Sequence, residues 1–246
     1  MPGPPDVTTL RVTAHRPEHP RKPCAYASLV SDDVPKVPFD ALERQRLCDL
    51  FVELGPDAPT LLEPWTTRDL AAHLVLREHD NLAAPGLVLP GPWHRFAARR
   101  TAKLAERDFA SLVDRVRSGP PPGLFRIGWV RRFPNLNEFF VHHEDVRRAD
   151  GREPRSNAPD LDAALWRNVA RAPWFLARRL RGAGLQLEWA GTNERVRARR
   201  GEPAARLVGP PGELLLYLFG RQNAAQVDLV GEPAAVAAVR ETSFGM

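Results

Sequence analysis

The sequence predicts a mixed fold, in which a bundle of about four helices is followed by a small α+β domain. Two observations indicate this order. From residue 39 to residue 149, apolar residues recur at the three- and four-residue spacing of a helix. From residue 185 onward, they alternate with polar residues over short segments, as in strands with one buried face. With 246 residues and 43% apolar content, the chain is long enough for two such parts.

Residues 1–38 are rich in proline and carry little periodic apolar pattern, which is unfavourable for a packed element. We therefore expect a flexible N-terminal extension, in which only Thr9 to Ala14 has the composition of a short strand. The segment does not combine a basic start with an apolar core, so it is not predicted to be a secretory signal.

Residues 39–154 form the predicted bundle. Its first helix covers residues 39–54 and ends where a Gly-Pro pair follows. Thr66 and Asp69 have the spacing of a capping box, which predicts the start of a second helix that runs to about Asp80.

The rest of the bundle has the same apolar spacing. A third helix is predicted over residues 93–107, and residues 109–117 continue or restart it before the stretch SGPPPG ends it. After an irregular stretch at residues 124–133, a Pro-Asn pair opens the last helix, which stops at the Asp-Gly pair after residue 149.

Residues 155–246 form the predicted α+β domain, and the boundary falls near residues 155–159. A helix is predicted over residues 161–180, although Pro173 is expected to kink or divide it. Short alternating segments then predict strands, and two helices complete the domain. The predicted strands lie within residues 185–190, 195–200, 204–209 and 224–231, and the helices begin at Pro210 and Pro233.

Glu138 and His142 are the strongest candidates for chemistry. On a helix they lie four residues apart, so a carboxylate and an imidazole project from one face about one turn apart. The best third ligand is His73, which shares a face of the second helix with Leu70 and Leu74. Two imidazoles and a carboxylate suit a divalent transition metal, and three protein ligands leave a coordination position open for catalysis. Loop lengths leave open whether the two helices are neighbours.

The three residues that follow His142 on this helix are predicted to have different environments. Asp145 follows His142 by three residues and is a candidate to orient its ring, although Asp145 could equally pair with Arg148. His143 lies about 100° round the helix and should be outside the site, either exposed or packed. Glu144 is assigned to the solvated face. The alternative to a metal site is an ordinary buried histidine on the second helix beside a surface Glu-His pair.

Composition argues against several classes of function. The net charge is +5, but all except three of the 35 basic residues are arginine and they are spread among acids, so nucleic acid is not a predicted partner. The longest apolar run, residues 214–219, is shorter than the roughly 20 residues that span a bilayer. The sequence has no serine-hydrolase, phosphate-loop or dinucleotide-binding motif. The arginine-rich residues 195–200 are interpreted as the outer face of a strand, with an anion site as the alternative.

The two cysteines, Cys24 and Cys48, are too few for a disulfide framework and lack C-x-x-C spacing. Cys48 lies on the apolar side of the first helix, where a small buried hydrophobe is the simplest interpretation. We therefore expect a cytoplasmic protein without a membrane partner, which is a monomer or a dimer.

Three segments resemble the mycothiol-dependent maleylpyruvate isomerase-like proteins, in particular an actinobacterial branch of that family. They read ERQRLCDLFVELGPDAPTLLEPWTTRDLAAHLVLRE, NEFFVHHEDVRRA and GPPGELLLYLFGRQ. Within them, W-T-x-x-D-L-x-x-H-L and E-x-x-x-H-x-x-D occur together in the order typical of the family. The resemblance covers about residue 39 to the C-terminus and leaves the proline-rich extension out.

The resemblance implies a DinB-like four-helix bundle that holds a divalent metal, usually zinc, followed by a sterol-carrier-like α+β domain. It places the metal ligands on His73, Glu138 and His142, which the spacing also selects. It further implies an enzyme that activates the thiol of mycothiol for attack on an electrophilic small molecule, as a transferase or an isomerase. The alternatives are a non-catalytic metal-binding or ligand-binding stress-response module and a metallohydrolase that needs no thiol.

Overall fold

The computed structural model describes residues 38–80, 82–87 and 91–245. Residues 1–37, which include the predicted strand at Thr9 to Ala14, lie outside this part of the chain. Across the described residues, no helix combines the length and the apolar content needed to cross a membrane.

The first part of the fold is helical, as the apolar spacing predicted. The capping box before the second helix is present, since the Asp69 carboxylate accepts hydrogen bonds from the N–H and the hydroxyl of Thr66 at 2.9 and 3.0 Å. In chain order the longer helices are α1 (Phe39–Leu54), α2 (Thr67–His79), α3 (Pro92–Ala105), α4 (Phe109–Ser118) and α5 (Leu136–Ala149).

Helices α1, α2, α4 and α5 share one apolar core, and α3 packs against α2 and touches this core through Leu104 and Ala105 at its end. Ala97 is the buried residue of α3, so this helix contributes little to the core. The shared core includes large side chains from all four helices, among them Leu47, Phe51, Leu70, Leu74, Leu112, Val113, Phe139 and Val146.

The chain enters α5 through helical turns, where the sequence predicted an irregular stretch. A 3₁₀ turn (Leu124–Arg126), a one-turn helix (Gly128–Val130) and a π turn (Arg131–Asn135) precede α5. Pro134 lies inside the π turn and has no N–H for a regular helical bond. The wider turn accommodates it, and the N–H of Leu136 bonds back to the first carbonyl of the turn.

The second part combines helices with a four-stranded sheet. Its elements are α6 (Pro159–Arg171), β1 (Gly184–Trp189), β2 (Arg195–Arg199), β3 (Ala204–Gly209), α7 (Pro211–Leu218), β4 (Asp228–Gly231) and α8 (Pro233–Glu241). As predicted, Pro173 divides the helical segment, because a separate one-turn helix (Pro173–Leu176) follows α6. The strand order is β2-β1-β3-β4, with β1 and β3 parallel and the other pairs antiparallel.

A second apolar core lies between one face of the sheet and helices α6, α7 and α8. Alternate strand residues reach it, namely Leu185 and Leu187 from β1 and Leu207 from β3. Helix α5 belongs to both cores, since Phe139 contributes to the first and Phe140 to the second. The predicted mixture of helices with a sheet is confirmed.

Gly212, near the start of α7, lies against the ring of Phe140. A Cβ at this position would lie 2.6 Å from Phe140 Cζ, and the ring is buried. We expect Gly212→Ala to lower the free energy of unfolding by about 1–3 kcal/mol through overpacking, as measured by urea denaturation. In the control Gly128→Ala, the new Cβ would come no closer than 3.6 Å to Arg132 Nη2. Equal stability of the two variants would contradict the tight contact.

Candidate metal centre

Helices α2 and α5 bring His73, Glu138 and His142 together. Glu138 Oε1 lies 3.1 Å from His73 Nε2 and 3.2 Å from His142 Nε2. One donor atom from each of the three side chains lies within 4.8 Å of the other two. The residues selected from sequence spacing therefore meet in space, although 65 positions separate His73 from Glu138.

The separations between these donor atoms suit a tetrahedral metal ion. With metal–ligand distances of about 2.0–2.1 Å, the corners of a tetrahedral zinc site lie roughly 3.3 Å apart. Both measured separations are close to that value. The donor set, two imidazole nitrogens and a carboxylate oxygen, also matches a divalent transition metal. The residues present thus fit the ion that the family resemblance implies.

Asp145, which is itself held by Arg221, orients the ring of His142 through its Nδ1 atom. His142 Nδ1 lies 2.9 Å from Asp145 Oδ2, and Arg221 donates to both carboxylate oxygens of Asp145 at 2.8 and 2.6 Å. With Nδ1 engaged, Nε2 is the nitrogen that faces Glu138. Burial alone would lower the pKa of His142, but its hydrogen bonds with the two carboxylates raise it.

The ring of His73 is positioned differently. Its centroid lies 5.3 Å from that of Trp65, and its Nδ1 is buried without a hydrogen-bond partner among the described residues. Burial lowers the pKa of His73, which favours the neutral imidazole. The neutral form is the one that binds a metal.

Arg77 helps to keep Glu138 ionised. Arg77 Nε lies 3.5 Å from Glu138 Oε1, and Arg77 Nη1 donates to Asn135 Oδ1 at 3.0 Å. Burial alone would raise the pKa of Glu138, but the charge of Arg77 and the hydrogen bonds with the two histidines bring it well below its ordinary value. Arg77 follows His73 by four residues on α2, so the two share a face of this helix, but the sequence alone assigned it no function.

His143 and Glu144 lie beside the cluster and outside it. His143 is buried, with Nδ1 2.9 Å from Glu43 Oε2, which agrees with the packed alternative. The prediction that Glu144 belongs to the solvated face was wrong, since this side chain is buried and pairs with Arg148 and Arg155. The second part of the fold covers this side of α5. The helical repeat of α5 alone could not predict that Glu144 would be buried there.

Arg148 joins α5 to the second part of the fold. It pairs with the carboxylates of Glu144 and Glu213 and donates to the Ala224 carbonyl at 2.7 Å. The sequence had left Arg148 open as a partner of Asp145, and the structure pairs Arg221 with Asp145 instead. Arg221 was missed because nothing in the local pattern links the turn after α7 to α5.

Comparison with protein-family models and with curated proteins found no match. Two solved structures are similar in fold, a mycothiol-dependent maleylpyruvate isomerase and a histidine-to-alanine mutant of such an enzyme. The TM-score is 0.53 for both, with sequence identities of 16% and 15% respectively. Each match covers 80% of this chain and 93% of the solved chain. The chain therefore shares the overall fold of that isomerase.

We expect Asp145→Asn to weaken zinc binding by about 10- to 100-fold, because an amide orients the His142 ring less firmly than a carboxylate held by Arg221. Competition with a chelator of known affinity measures the change. Asp114→Asn removes the same charge at an exposed position on α4 and should leave the affinity unaltered. A folded Asp145 variant with undiminished affinity would show that this contact does not support the ligand.

The Glu43 carboxyl is expected to make stability sensitive to acid. Burial would raise its pKa, but the hydrogen bond with His143 and the charge of Arg155 lower it from 4.5 to about 2. A lowered pKa stabilises the folded state above the unfolded value, and this contribution disappears as the pH falls from 4.5 towards about 2. At neutral pH it should amount to roughly 3 kcal/mol.

Urea denaturation of the wild type and of Glu43→Gln tests this expectation. The stability difference between them should be large at neutral pH and should shrink steadily below about pH 4.5. Glu53→Gln, which changes an exposed side chain, is the control for the loss of one carboxylate. A difference for Glu43→Gln that stays constant down to about pH 3 would rule out the linkage.

Proposed function

We propose that this protein is a metal-dependent enzyme that activates a thiol, with mycothiol as the candidate, for attack on an electrophilic small molecule in a transfer or an isomerisation. The observation that carries the proposal is the convergence of His73, Glu138 and His142, in which both imidazole nitrogens lie at tetrahedral spacing from Glu138 Oε1. The fold shared with a mycothiol-dependent isomerase supports it. Zinc is the proposed ion, because its geometry and donor preference match this set.

In this proposal, the ion would be held by His73, Glu138 and His142. Neighbouring residues orient these side chains and set their charge. A divalent ion bound there would lower the pKa of a thiol in its open coordination position and so supply a thiolate nucleophile. Asp145 keeps Nε2 of His142 directed at the cluster. Arg77 keeps Glu138 ionised, and the carboxylate offsets part of the charge of the cation. The ligand side chains are only 9–12% exposed, which limits competition from bulk water.

We also propose that residues 39–154 and 155–246 are two modules, a DinB-like bundle and a sterol-carrier-like domain. The two apolar cores support this division. Helix α5 lies in the first module and packs into both cores, so it would form their common wall.

Purified wild-type protein is expected to contain about one metal ion per chain, and His142→Ala to lose it, because two remaining ligands hold an ion poorly. Elemental analysis of protein prepared without chelators measures both. His94→Ala removes an exposed histidine on α3 and should keep the metal. A wild type without stoichiometric metal, or a His142 variant that retains it, would contradict the site.

Activity assays separate the proposal from its two alternatives. Metal-loaded protein should convert at least one member of a panel of electrophiles, with maleylpyruvate tested first, only when mycothiol is present. A transfer would consume the thiol, whereas an isomerisation would return it unchanged. Turnover that persists without any low-molecular-weight thiol would favour a metallohydrolase. Stoichiometric metal without turnover on any member of the panel would favour a non-catalytic module.

A further inference from the structure

A basic hollow lies at the edge of the sheet, next to strand β2. Its volume is about 710 Å³, and it lies between β2 and the one-turn helix Pro173–Leu176. None of the described residues that line it is acidic. The lining consists of Trp174, Gln186, Ala198 and four arginines, Arg178, Arg197, Arg199 and Arg200.

Two of these arginines lie where the register between β1 and β2 shifts. Arg199 pairs with Leu185 and Arg197 pairs with the next residue of β1, Gln186, so Ala198 is an extra residue in β2. Ala198 is buried, whereas the arginines on either side are exposed or half-buried. Bulges re-aim side chains and occur often beside functional sites. Arg197 and Arg199 both line the hollow, one on each side of the buried Ala198.

The arginines of the hollow differ from others on the same sheet. Arg195 and Arg206 both pair with Glu188, each at 3.0 Å. Among the described residues, no carboxylate lies within 4.0 Å of the four arginines of the hollow. Like charges held together without a counter-charge repel one another, and a bound anion would remove that repulsion.

Trp174 and Arg178 add a flat apolar surface and a positioned cation. The Trp174 side chain is 67% exposed, which is unusual for so large an apolar group. Arg178 lies over the ring of Phe175, 4.2 Å from its centroid, and donates to the Phe175 carbonyl at 3.0 Å. Its guanidinium is therefore anchored at one side of the hollow.

We propose that this hollow binds a phosphorylated small molecule with a planar ring, of which a nucleoside monophosphate is representative. Arginine forks match phosphate oxygens in pairs, and an exposed tryptophan stacks on a planar ring. The volume lies within the range of small-molecule sites, roughly 300–1,000 Å³. The hollow shares no residue with the His73, Glu138 and His142 cluster, so this inference stands apart from the proposed function.

Calorimetric titration of the full-length wild type with adenosine monophosphate, inorganic phosphate and adenosine tests the two halves of the site. The monophosphate should bind at least about tenfold more tightly than inorganic phosphate or adenosine, because it alone can contact the arginines with its phosphate and Trp174 with its ring. Absence of monophosphate binding, or equal affinity for inorganic phosphate, would overturn the proposal. A short single-stranded oligonucleotide that binds more than about a hundredfold tighter would overturn it in favour of a polynucleotide surface.

Matched variants on one strand locate the binding. Arg197→Gln should weaken binding of the monophosphate by about tenfold, because it removes charged hydrogen bonds to phosphate. Arg195→Gln makes the same charge change on β2 at a residue already paired with Glu188, and should alter affinity by less than about twofold. Trp174→Leu should weaken binding of the monophosphate and leave that of inorganic phosphate intact. Equal loss of affinity in the two arginine variants would show that the monophosphate is attracted only by net charge, and would overturn the proposal.

Discussion

The burial of helix α5 is the constraint on which the rest of the structure depends. Every residue from Leu136 to Val146 is buried, including Glu138, Glu144 and Asp145. Buried carboxylates destabilise a fold unless charge partners and hydrogen bonds compensate them. The surrounding elements supply these partners, since Arg77 comes from α2 and Arg221 from the turn after α7. The candidate centre thus belongs to a larger network of charge pairs that allows the acidic residues of α5 to be buried.

Arginines provide most of this compensation. Glu138 lies beside Arg77, Glu144 beside Arg148, and Asp145 beside Arg221. Guanidinium groups stay protonated at any ordinary pH, so each of these carboxylates keeps a permanent counter-charge. Next to these pairs, the Nε2 atoms of two imidazoles lie close to one carboxylate oxygen of Glu138. That arrangement distinguishes the cluster from the plain buried histidine that the sequence also allowed.

Local patterns predicted the helices, the strands and the pairing of Glu138 with His142, because each rests on spacing within one element. His73 was chosen as the third ligand from its helical face and from the family resemblance, and its closeness to the pair was left open. The start of α2 followed from Thr66 and Asp69, and the pairing of Glu138 with His142 from one helical turn. The partners from distant segments were not predictable in this way. Arg221 lies 76 residues from Asp145, and Glu43 lies 100 residues from His143. Glu144 was misplaced for the same reason, since a repeat within one helix does not show that a distant part of the chain covers it.

The contact between Arg221 and Asp145 has a consequence for how such a chain evolves. The ring of His142 on α5 takes its orientation from Asp145, which is held in turn by Arg221 from the C-terminal half of the chain. Recombination that exchanged this half for an unrelated one would leave the Asp145 carboxylate buried without its cation. The two halves are thus expected to be inherited as a pair, with changes at one of these positions favouring compensating changes at the other.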